Sequence, residues 1–92
     1  MRTVSDHRLT ADRLTVDFAR RVPRSARFRA HARRLAELAA RGEVDRVLGY
    51  LDALHTEWQA TSSKFDRARY AEFEARVVAA AYQHRYGGGL TR

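Results

Sequence analysis

Residues 20–34 read RRVPRSARFRAHARR: seven arginines, Arg20, Arg21, Arg24, Arg27, Arg29, Arg33 and Arg34, without one acidic side chain among them. Guanidinium groups at this density can hold phosphates, where each neutralised phosphate releases condensed counterions, or can grip an acidic protein surface. The bland alternative is a solvated helix face whose arginine stems shield the edge of a core. Seventeen of the eighteen basic residues are arginine, so the residue's abundance alone carries little weight. Its distribution carries more. Residues 1–41 hold eleven arginines against four carboxylates, a surplus of seven, whereas residues 42–92 hold seven basic and seven acidic side chains. The whole net charge of +7 therefore belongs to the first part of the chain, which points to an anionic partner met there.

Other chemistry finds less footing. His31 and His55 fall eleven residues before and thirteen after Gly42, at similar heights if the chain turns there, and Asp52-x-x-His55 is the one pair with ligand-like spacing. A metal site needs three or four converging ligands, so hydrogen-bonded neutral histidines are expected and no metal or cofactor. No Gly-x-Ser-x-Gly elbow, phosphate-binding Gly-Lys-Ser/Thr loop or dinucleotide-binding glycine pattern occurs. Glu72 and Glu74 lie on different helix faces among arginines, and neither is placed as a general acid. The expectation is binding, not catalysis.

The elements that must position the arginines follow from periodicity. Phe28, Ala32, Leu35 and Ala39 recur at steps of four, three and four, giving a helix over 24–41 with Pro23 at its start and Gly42 at its end. On it Arg27, Arg34 and Arg41 stand seven apart and form a ridge, with Arg29 and Arg33 on the opposite flank. Val44, Val47, Leu48, Leu51, Leu54, His55 and Trp58 share one face of a second helix over 43–60, and so short a connection favours an antiparallel hairpin. Trp58 is expected to close the base of the bundle.

A third helix over 64–86, opened by a capping box of Ser63 and Asp66 and stopped by Gly87–Gly89, is apolar on two opposite sides. Ala68, Ala71, Ala75, Val78, Ala79, Tyr82 and Tyr86 form one stripe; Tyr70, Phe73, Val77, Ala80 and His84 form the other. A surface helix of a monomer needs one buried stripe, so the second must meet the N-terminal segment or another chain. Tyr70, Phe73, Val77, Val78, Tyr82 and Tyr86 are the candidate interface residues.

The N-terminal arm, residues 1–22, reads two ways. Ala11, Leu14, Phe18 and Val22 fit a helical stripe, but Leu14, Val16 and Phe18 also alternate as a strand would. A strand followed by two helices would resemble a ribbon-helix-helix repressor. The first helix is longer than that fold uses, and Asp17 would face the DNA, so a helix from about Thr10 to Arg21 is preferred. The run GEVDRVLGYL is similar to the turn and second helix of small bacterial helical proteins, some antitoxins among them. It covers about a tenth of the chain and carries over no site residue.

Ninety-two residues suffice for one small core, so the expected fold is a single all-α domain: the hairpin, the long third helix, the arm, and a flexible tail at 87–92. Without cysteine, an apolar leader or a membrane-length apolar run, a cytoplasmic protein is expected. The function expected of it is that of a small regulatory or accessory protein. The arginine segment would contact nucleic-acid phosphates with little base reading, and the third helix would bind a second copy or another protein. The rival is a pure protein-binding module, an antitoxin, immunity factor or enzyme-stabilising subunit, whose basic arm covers an acidic partner.

Overall fold

Ser25 starts the helix that organises the molecule: its extended backbone (φ −150°, ψ 152°) leaves the side-chain oxygen free to accept the Phe28 amide at 3.2 Å. That caps one of the orphan donors of a helix start. The computed structural model describes residues 3–22, 25–61 and 64–87, with side chains described over 10–22, 25–59 and 68–87. Four α-helices follow one another: α1 (Thr3–Ala19), α2 (Ala26–Ala40), α3 (Val44–Thr61) and α4 (Lys64–Tyr82), with a π-helical turn at Gln83–Gly87. Arg24, placed at the start of the expected helix, lies outside the described residues, as do the capping box at Ser63 and the glycines after Gly87.

The turn between α2 and α3 needs its glycine twice over. Gly42 sits at φ +70°. Its amide donates to the Ala39 carbonyl and the Glu43 amide to the Leu38 carbonyl, the paired bonds of a Schellman stop. A Cβ at Gly42 would also stand 2.9 Å from the Arg85 Cα, because the π-helical turn lies directly against it. The α2–α3 connection and the end of α4 are thus locked together.

The arm is a helix, and a longer one than the sequence indicates. Phe18 is fully buried and Leu14 packs against the core, while Val16 between them is 58% exposed, which the alternation of a strand would not allow. No strand occurs among the described residues. α1 lies along α2 for most of its length, and α2 also touches α3 and α4.

An unbroken series of ring contacts runs through the core. Phe18 meets Phe73 at 5.8 Å, Phe73 meets Tyr70, Tyr70 meets Trp58 at 4.8 Å, and Trp58 meets Phe28 at 4.9 Å. All four helices contribute a ring, so this series ties the bundle together across its width. The Tyr70 hydroxyl donates to the Leu51 carbonyl at 3.0 Å, which satisfies it inside the core. Trp58, 1% exposed, belongs to the core, whereas Leu48, placed on the apolar face of the second helix, is 42% exposed. Among the described residues no helix is long and apolar enough to cross a membrane.

Candidate functional site

The arginines of α2 leave it on two sides, and their neighbours differ. On the side of α3 stands the ridge of Arg27, Arg34 and Arg41. Each has a carboxylate: Arg27 Nε meets Glu57 Oε2 at 2.6 Å, Arg34 meets Glu37 at 3.3 Å, and Arg41 reaches Glu43 at 3.7 Å. The ridge exists with the seven-residue spacing of the sequence, but it is neutralised where it stands. Arg21, at the end of α1, is engaged as well. It bonds Asp17 at 3.2 Å and Glu72 at 3.4 Å, and Arg76 reaches the same Asp17 oxygen, so these four side chains fasten α1 to α4.

On the side of α1 the arginines have no such partners. Arg29 and Arg33, one helical turn apart, are exposed, and no carboxylate of the described residues pairs with either. They border a groove of about 330 Å³ between α1 and α2, lined also by Thr15, Ala19, Ala26 and Ala30. Three of those residues are alanine, so the two backbones come close and the floor is smooth and apolar. The Thr15 hydroxyl is bonded to the Ala11 carbonyl at 2.8 Å. Guanidinium groups are therefore what this groove offers to a ligand.

Arg20 is exposed too, its backbone carbonyl accepting from Arg69 at 3.4 Å. Arg13, which lay outside the arginine-rich segment, is exposed on α1 seven residues earlier. Of the arginines proposed from the sequence, Arg20, Arg29 and Arg33 thus project unpaired, Arg21, Arg27 and Arg34 are ion-paired, and Arg24 is not described. The surplus charge belongs to residues 20–41, with eight arginines against Glu37, whereas α1 itself holds three aspartates against two arginines.

A second, smaller pocket of about 170 Å³ opens between α2 and α3, lined by His31, Tyr50, Ala53, Leu54 and Glu57. His31 Nδ1 lies 2.7 Å from the Tyr50 hydroxyl, and its Nε2 is buried without a hydrogen-bond partner, 3.8 Å from Glu57 Oε1. Burial raises the Tyr50 phenol above its ordinary value, with Arg34 opposing and Glu57 reinforcing the shift. A protonated phenol that donates to Nδ1 places the ring proton on Nε2, facing the carboxylate. His31 faces α3 across the hairpin, where its partners are Tyr50 and Glu57. His55 turns instead toward Tyr70, ring to ring at 5.3 Å. Among the described residues no three His, Asp or Glu side chains gather where they could hold a metal ion.

The two stripes of α4 have opposite fates. Tyr70, Phe73 and Val77, named as interface residues, are 2%, 0% and 0% exposed, so as interface residues they are corrected: they form the core of the single chain. Burying two rings and a valine removes far more apolar area from water than burying alanines, which decides the rotation of the helix. Val78 is half-buried, and Tyr82 and Tyr86 stay exposed, their rings stacked at 6.0 Å with the Arg85 guanidinium 5.5 Å above Tyr86. Ala68, Ala71, Ala75 and Ala79 are exposed on the same side. No protein-family model, no curated protein and no solved structure matches this chain.

Proposed function

We propose that this is a non-enzymatic regulatory or accessory protein of the cytoplasm that contacts nucleic-acid phosphates. The contact runs along the α1/α2 face, with Arg29 and Arg33 at the groove, Arg13 on α1 and Arg20 just past its end, and the outer face of α4 serves association. One observation carries the reading: four exposed arginines on neighbouring surfaces form no ion pair with a carboxylate of the described residues, while those of the ridge do. A guanidinium already held by a carboxylate brings little net charge to a phosphate; an unpaired one releases counterions when it binds. The sequence holds no zinc-finger Cys/His spacing, and arginines at mixed positions favour contact with backbone phosphates at slight sequence preference.

The second reading, an acidic protein as the partner of the same face, draws on the apolar floor of the groove, where Ala19, Ala26 and Ala30 would receive a side chain as readily as a sugar. Filter binding with duplex DNA and with RNA at near-physiological salt separates the two. Retention at micromolar protein, weakening as salt rises by a slope of about 0.9 per phosphate engaged, supports phosphate contact. No retention at that concentration, together with a co-purifying acidic protein, assigns the face to the rival.

A further inference from the structure

We propose that the outer face of α4 pairs with the same face of a second copy of the chain, the two helices antiparallel about a two-fold axis at Ala75. This deepens the association assigned to α4 above and rests on it. The face is open: Tyr82 is 44% exposed and Ala68, Ala71, Ala75 and Ala79 are exposed, while the opposite side of the helix is closed in the core.

The identity of the occupant follows from the order of sizes along the face. Positions 68, 71, 75, 79 and 82 are symmetric about 75, at minus seven, minus four, zero, plus four and plus seven. Two copies running antiparallel therefore set Tyr82 of each opposite Ala68 of the other, Ala71 opposite Ala79, and Ala75 against itself. A wide residue meets a small one at both ends, which lets the backbones close along the whole seam. Parallel copies would set tyrosine on tyrosine at one end and hold the alanines apart at the other.

Charge on the border of the face agrees. Glu72 and Arg76 flank the seam on one side, with side chains 67% and 53% exposed despite their contacts to Arg21 and Asp17. In the antiparallel pair Glu72 of each copy lies about 3 Å along the helix axis from Arg76 of the other, from the rise of 1.5 Å per residue. A parallel pair would turn this flank of each copy toward the opposite flank of the other, where Glu74 and Val78 stand, and the Glu72–Arg76 approach would be lost. The seam from Ala68 to Tyr82 is about 21 Å long and narrow, well under the ~800 Å² per partner of a tight dimer, so the pairing is weak and concentration-dependent.

The chain has no cysteine, so a single introduced thiol reports unambiguously. Under mild oxidation, full-length Ala75→Cys should link to itself, since the two thiols meet at the axis. Ala68→Cys and Tyr82→Cys should each remain unlinked alone and link when mixed. Mass in solution should approach twice 10.6 kDa for the wild type at a few hundred micromolar and return to 10.6 kDa for Ala75→Arg, with helical content unchanged by circular dichroism because Ala75 is outside the core. A wild-type mass of 10.6 kDa at that concentration with no Ala75→Cys dimer overturns both the pairing and the association on which it rests. A doubled mass with Ala68→Cys linking to itself, and no link in the mixture, leaves the association standing and overturns the antiparallel arrangement.

Discussion

The two sides of α2 carry the same residue type and differ in what the neighbouring helix brings to it. α3 brings Glu57, and the turn before it brings Glu43, so Arg27 and Arg41 are neutralised; Glu37 of α2 itself does the same for Arg34. α1 brings Thr15 and Ala19, and Arg29 and Arg33 form no ion pair among the described residues. Density of arginine in the sequence is thus a poor guide to positive potential. Potential accumulates where carboxylates are absent, and that is decided by which helix packs on which flank.

The comparison breaks most readily by charge reversal. Arg29→Glu combined with Arg33→Glu should weaken nucleic-acid binding about 100-fold at about 100 mM salt and flatten the salt slope by about two, since two phosphate contacts are lost. Removing the ridge with Arg27→Ala, Arg34→Ala and Arg41→Ala should cost less than about threefold although it deletes one more arginine. Filter binding across a salt series reads both variants. A larger loss from the ridge variant would reverse the assignment of the two sides.

Alkali tests the α3 side in particular. Tyr50 and Tyr70 hold α3 to α2 and to α4 through hydrogen bonds to His31 and to the Leu51 carbonyl. Burial raises both phenols above their ordinary value, for Tyr70 with Glu74 and Asp52 adding to the shift. A phenol whose folded pKa exceeds its unfolded value of about 10 contributes stability that is present in full below pH ~10 and is lost as pH climbs toward the folded value, because the unfolded chain releases its proton first. Urea midpoints should therefore hold steady to about pH 9.5 and fall above it. Tyr70→Phe should cost about 1 kcal/mol at neutral pH through the lost hydrogen bond and should flatten the alkaline decline. An equally steep decline in that variant would show that Tyr70 is not its source.

How far such features can be read from the chain depends on whether they are local. The hairpin was legible because Gly42 and the apolar spacing on either side of it act within a few residues, and the Schellman bonds form there. The seven-residue ridge was legible for the same reason. Its neutralisation was not, because Glu57 lies thirty residues from Arg27 and reaches it only once α3 folds back. α1 was ambiguous since Leu14, Val16 and Phe18 satisfy two periods at once; packing on α2 settles the matter by leaving Val16 in solvent. Ser25 was passed over in favour of Pro23 as the helix start, although a serine three residues before Phe28 is a recognisable cap. The two stripes of α4 were both visible. Only their bulk could have told which faces inward, and Tyr70 with Phe73 outweighs a row of alanines.

The smallest effect discriminates between two causes of the difference. Glu57→Gln keeps the shape and an acceptor for Arg27 but removes the charge, and it also withdraws the carboxylate that faces His31 Nε2. Stability should change by less than about 1 kcal/mol, because the Arg27 side chain is 66% exposed and an exposed ion pair contributes little. Nucleic-acid affinity should rise by less than about threefold, with a slightly steeper salt dependence, if the newly uncompensated Arg27 can reach a phosphate. An affinity and slope equal to those of the wild type would mean that the ridge is turned away from the ligand altogether. In that case the α1 side prevails by orientation, and the carboxylates of α3 merely accompany an arrangement that the packing of the helices had already settled.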